Sequence, residues 1–193
     1  GHADLADRPE GGVLPGPIYR CFPSGNHYLL IKTFPDTSPG LRSGRVFSHV
    51  LLISQSDLNR ISILSDLFRF HLQAIQKEVV MKPLEYHPTQ TAKQNTSVNG
   101  MEAAATNAFL NEEKFVCLGE AGYWDWVSRF WPILPAEIKK TLKVGAAFNP
   151  TYSKNDHLNL VYIPQSANSL WERGKFRVIG QDQSELLQSP AAH

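Results

Sequence analysis

The chain has 193 residues, enough for one domain that buries roughly two-thirds of its unfolded surface. Its 42% apolar and 19% charged content is that of an ordinary globular protein, and a formal charge of +1 argues against a broad electrostatic surface for nucleic acid or anionic membrane. No apolar run reaches the ~20 residues of a membrane-spanning helix and no secretory leader is read, so the cytoplasm is the expected location.

Residues 1–16 are rich in Gly, Pro, Asp and Glu and read as a flexible lead-in. A strand is expected around Ile18 to Phe22, then a turn at Pro23-Ser24-Gly25-Asn26, where Gly and Asn tolerate positive φ, then a strand from His27 to Phe34. Pro35 to Gly40 breaks that hairpin and opens a loop to Gly44. Arg45 to Ser54 holds four consecutive apolar residues, Val50 to Ile53, and reads as a central strand covered on both faces. Ser56-Asp57 offers a helix N-cap, and Leu58, Ile61, Leu64, Leu67 and Phe68 follow at helical spacing.

Residues 81–99 carry Pro83, Pro88 and a polar run, the pattern of a long exposed loop. A short helix is expected over Met101 to Leu110 and a strand over Phe115 to Leu118. Tyr123 to Leu134 concentrates Tyr123, Trp124, Trp126, Phe130 and Trp131 on nearly every side of one helix, which must be buried or face a partner. Pro132 and Pro135 end it, and Pro135 suits the first turn of a further helix to Leu142. Strands at Val144 to Phe148, Leu158 to Ile163 and Phe176 to Ile179, with a helical turn near Trp171, complete an α+β fold. This is a mixed, mainly antiparallel sheet with helices packed on it, in one domain over 17–180 with a polar tail at 181–193.

Cys21 and Cys117 each sit between apolar neighbours and read as buried, reduced thiols. His27, His49, His71, His87 and His157 have no metal-ligand spacing, and there is no phosphate loop, dinucleotide fingerprint or nucleophile elbow. Neither a metal nor a cofactor is expected. Alternation along the third strand puts Arg45, Phe47 and His49 on one face, with the Arg45 and His49 Cα atoms about 13 Å apart. Together with Asp36, these residues make either an anion pocket or a structural network in which Asp36 pairs with Arg45 and His49 bonds a backbone carbonyl. Glu120 precedes the aromatic helix, where the macrodipole favours a carboxylate, and is a second candidate base. Tryptophan and tyrosine lead among interface residues, so Tyr123, Trp124, Trp126 and Trp131 are candidate contacts, although core packing is the commoner fate of such a helix.

Thr33-Phe34-Pro35-Asp36 followed by Leu41 to Leu52, with Arg42, Gly44, Arg45, Phe47 and His49 as the matching positions, resembles the N-terminal domain of bacterial GTPase-associated proteins. Leu134-Pro135-Ala136-Glu137 and the Phe148 region resemble its later part, whereas residues 81–113 do not. The resemblance implies an adaptor or sensor module of an antiphage system, not an enzyme, whose partner is a GTPase or other NTPase subunit. Its contact residues would come from Arg42, Arg45 and His49 and from the aromatic helix; it attaches no catalytic role to them. Two alternatives stand beside it. One is a hydrolase or nucleotide-processing enzyme centred on His49 and Arg45 with Asp36 or Glu120. The other is a nucleic-acid sensor, the less expected, using Lys139, Lys140, Lys143 and Lys154.

Overall fold

The computed structural model describes residues 16–36, 38–40, 45–74, 82–87, 100–111, 113–120, 122–150, 158–173 and 178–179. The lead-in, the loop residues Arg42 and Gly44, most of 75–99, Lys154, His157 and the tail lie outside them. Seven strands form one sheet: β1 (Ile18–Ser24), β2 (His27–Pro35), β3 (Val46–Ser54), β4 (Phe115–Leu118), β5 (Val144–Ala146), β6 (Leu160–Ile163) and β7 (Val178–Ile179). Their order is β3-β2-β1-β5-β6-β4-β7. The helices are α1 (Gly100–Leu110), α2 (Tyr123–Ile133), α3 (Ala136–Thr141) and α4 (Asn168–Arg173).

The sheet is mixed, as the strand patterns imply. β1, β2 and β3 pair antiparallel over long registers, and β1 joins β5 antiparallel. Beyond that seam β5, β6, β4 and β7 run parallel. The parallel strands are short and apolar, and Val116, Val144, Leu160, Val161 and Ile163 are fully buried, as strands covered on both faces must be. The two halves meet closely at β1 and β5, where Gly145 has φ +151 and an added Cβ would lie 2.7 Å from the Tyr19 carbonyl oxygen and 2.8 Å from Arg20 Cα. Only a residue without a side chain permits that approach. The Arg20 Nε–H, buried there, donates to the Ala146 carbonyl at 2.9 Å.

Two expectations are corrected. β3 is the outer strand of the sheet, not a central one, and Leu52 is 55% exposed. Its unbroken apolar run reflects a strand that shows one face to the core and part of the other to solvent. Residues 58–70 form two 3-10 turns, Leu58–Arg60 and Leu64–Phe70, instead of an α-helix. The β-branched Ile61 and Ile63 take extended dihedrals between the turns, and the Ile61 carbonyl accepts the Trp131 indole N–H at 2.9 Å. The apolar spacing still buries Leu58, Ile61, Leu64 and Leu67.

α2 and the 3-10 turns cover one face of the sheet. Trp131, Phe130 and Val127 join Tyr28, Leu30 and Leu142 in the main core, while Trp171 of α4 packs with Val116, Val161 and Ile163 on the other face. Cys21 and Cys117 are buried free thiols; burial raises both, Cys117 to about 12, so neither is a thiolate nucleophile at neutral pH.

A candidate polar site across the sheet

The register places one row of side chains straight across the sheet. His49 stands opposite Lys32, Lys32 opposite Tyr19, and Ala146 opposite Tyr162, which faces Cys117. The β1–β5 register, Arg20 with Gly145 and Cys21 with Val144, sets Tyr19 against Ala146 and closes the row. On its parallel side the row lies at the carboxyl ends of β4, β5 and β6, the place where open α/β sheets form their binding crevices.

His49 meets His71, the residue that follows the second 3-10 turn. Their Nδ1 atoms are 3.0 Å apart, and the Leu72 backbone N–H donates to His49 Nδ1 at 3.4 Å. An imidazole nitrogen that accepts from an amide carries no proton, so His49 is the neutral Nε2–H tautomer and the His71 Nδ1–H donates to it. His71 Nε2 then holds a lone pair, and it is buried without a hydrogen-bond partner. Protonation would place an unsatisfied donor in the interior. Burial first, then the neighbouring His49 and Lys32, bring the His71 pKa down to about 4. Burial and Lys32 hold His49 below its usual value as well.

Lys32 is 5% exposed, and three groups accommodate its ammonium. It donates to the Leu72 carbonyl at 3.0 Å and to Gln73 Oε1 at 3.3 Å, and it lies 5.4 Å from the Phe34 ring centroid. Lys32 and His49 therefore clamp the chain leaving the 3-10 turn onto the hairpin. Tyr19 stacks on Phe68 at 4.0 Å with its ring tilted towards His71, and Trp124 closes edge-on over Phe68 at 4.9 Å. The Trp124 indole N–H is the second polar group of this cluster that is buried and unpartnered. At the parallel end the Tyr162 hydroxyl donates to Glu120 Oε1 at 3.3 Å. Burial, then the Glu120 charge, raises Tyr162. Tyr19 is raised by the same two causes.

Arg45 and Asp36 do not join this row. The Arg45 guanidinium is 56% exposed and stands 3.7 Å from the Asp36 carboxylate at the rim. Asp36 is lowered chiefly by its bonds to Ser38, with Arg45 a smaller contribution. Asp36 with Arg45 is one half of the structural network read from the sequence; His49 departs from the other half, since it accepts a backbone N–H instead of donating to a carbonyl. Tyr123, Trp126 and Trp131 are buried at 2–3% exposure or below, and Trp124 alone of these four is half-buried. Sequence reasoning passed over Lys32, His71 and Tyr19. A lysine inside the buried alternation His27-Tyr28-Leu29-Leu30-Ile31-Lys32 was the available signal, because a charge placed there needs partners. His71 gave none.

No cluster of three or more metal-ligating side chains occurs among the described residues. Among them, no helix is long and apolar enough to cross a membrane. No curated protein and no solved structure matches the chain. Its first 71 residues, which hold β1 to β3, the 3-10 turns and both histidines of the pair, match the family model of GTPase-associated protein 1, N-terminal domain type 1.

Proposed function

We propose that this chain is a non-enzymatic adaptor or sensor module of a bacterial GTPase-associated defence system that works by binding a GTPase or other NTPase subunit. The observation that carries the reading is the match of residues 1–71 to a GTPase-associated domain. The site chemistry supports it. His49, the strongest candidate base, is spent on a neutral internal pair with His71, and Arg45 is held at the rim by Asp36. The enzyme alternative asks those groups to converge with Glu120, which instead accepts from Tyr162. Trp124 and the exposed Arg45 are the side chains we assign to partner contact, with Arg42 close to Arg45 in sequence.

The test is isolation of the tagged protein from its native host, followed by direct titration of any recovered GTPase in its GDP- and GTP-analogue-bound forms. Saturable binding that Trp124→Ala or Arg45→Ala weakens supports the module. If no GTPase or other NTPase is enriched over an untagged control, the adaptor reading fails and hydrolase screening takes its place.

A further inference from the structure

Beside the parallel end of the polar row, two half-buried aromatic rings gather near an exposed carboxylate: Tyr19, Trp124 and Glu120. Tyr19 lies against Phe68 on one face, with centroids 4.0 Å apart and planes 10° from parallel. Trp124 stands at 82° to Tyr19 and 88° to Phe68. Its centroid is nearer Phe68, at 4.9 Å, than Tyr19, at 6.0 Å. A ring nearer Phe68 cannot lie over the far face of Tyr19. Trp124 therefore walls the edges of the stack and does not cover the second face of Tyr19, which keeps part of its surface in solvent.

Glu120 brings a negative charge to these rings. The buried Tyr162 hydroxyl holds its carboxylate at 3.3 Å, and Trp124 stands edge-on to Tyr162 at 6.1 Å. The Glu120 charge is felt by both tyrosines and raises each of them. Among the described residues, no lysine, arginine or histidine pairs with Glu120. Lys32, the neighbour of Tyr19 in the row, turns its ammonium to Leu72 and Gln73 instead.

We infer that Tyr19, Trp124 and Glu120 bind a guanidinium group, carried by a free guanidine or by the arginine side chain of another protein. An aromatic face beside an unpaired carboxylate suits this ion. Guanidinium is planar and weakly hydrated, stacks on a ring, and bonds a carboxylate through its N–H fork. A primary ammonium is more strongly hydrated. A metal ion would find a single carboxylate here, and no cluster of ligands occurs among the described residues. The assignment goes beyond the GTPase reading and does not depend on it.

Heteronuclear NMR of the full, isotope-labelled chain tests this by titration with N-methylguanidinium chloride at constant ionic strength. The backbone amide signals of Tyr19 and Glu120 and the indole signal of Trp124 are expected to shift together and saturate. N-methylurea, a neutral molecule of the same shape, should leave them in place. Glu120→Gln keeps an acceptor for the Tyr162 hydroxyl at an exposed position, so the fold is retained while binding weakens by about tenfold. N-acetyl-arginine amide that binds more tightly than N-methylguanidinium marks a protein side chain as the source; equal or weaker binding marks a free guanidine. The inference is overturned by the absence of a saturable shift, by an equal response to N-methylurea, or by undiminished binding to Glu120→Gln.

Discussion

Arg45, just before β3, and His49 within it are two basic groups four residues apart, and the fold treats them in opposite ways. At the rim, Arg45 stays mostly in water and touches Asp36 at 3.7 Å. Further in, His49 is drawn under the helical layer, loses its charge and shares one proton with His71. Salt screening and side-chain entropy leave a long 3.7 Å contact with a mostly hydrated guanidinium worth little, whereas in the interior an imidazole must be satisfied or kept neutral. The same stretch of chain therefore holds an ion pair whose cation is mostly in water and a desolvated proton-sharing pair.

The interior side of the comparison breaks most sharply at Trp131. Its ring is fully buried against Tyr28, and its N–H donates to the Ile61 carbonyl at the break between the two 3-10 turns. Trp131→Ala opens a cavity and orphans that carbonyl, so a loss of about 3–5 kcal/mol is expected in chemical denaturation. A loss well under about 1 kcal/mol would mean that α2 does not hold the 3-10 layer in place.

The histidine pair gives the next effect, and its direction follows from the depressed pKa. His71 titrates near 6.5 when unfolded and near 4 when folded. Above the unfolded value the ring is neutral in both states and the full stability is present. Between them the unfolded chain takes up a proton that the folded chain refuses, so stability falls as the pH drops. The expected loss from pH 7 to pH 4 is on the order of 2 kcal/mol. Urea midpoints measured across that range in wild type and in His71→Phe separate this contribution from ordinary acid unfolding. The variant should show a visibly shallower slope, and parallel slopes would sink the neutral pair.

Much of this interior was readable in advance and some was not. Strand positions followed from alternation in β1 and β2 and from short apolar runs in β4 and β6, because burial imposes those patterns directly. The aromatic density of α2 gave its burial, with Trp124 as the half-buried exception. The 3-10 geometry of residues 58–70 was hidden, since Leu58, Ile61, Leu64 and Leu67 bury equally well from either kind of helix. The edge position of β3 was hidden too. An apolar run does not reveal whether its second face is covered, and here Leu52 is not. Above all, the row His49–Lys32–Tyr19 depends on register between three strands, and His71 reaches it from a different element altogether. Adjacency in sequence paired His49 with Arg45, whereas the fold paired it with a residue 22 positions away.

The rim supplies the smallest effect and the sharpest contrast. Arg45→Ala removes a guanidinium that is mostly in water, leaves Asp36 bonded to the Ser38 amide, and touches no core residue. The thermal midpoint in dilute protein should match wild type within error. The slope of stability against pH between 7 and 4 should also be preserved, because the His49–His71 pair is untouched. If Arg45→Ala instead flattened that slope as His71→Phe does, the rim and the interior would be electrostatically coupled, and Arg45 would count among the groups holding His71 neutral. Burial and the neighbouring His49 and Lys32 account for that depression without it, so differential scanning calorimetry of this one variant at pH 7 and pH 5 decides whether Arg45 and the His49–His71 pair act separately.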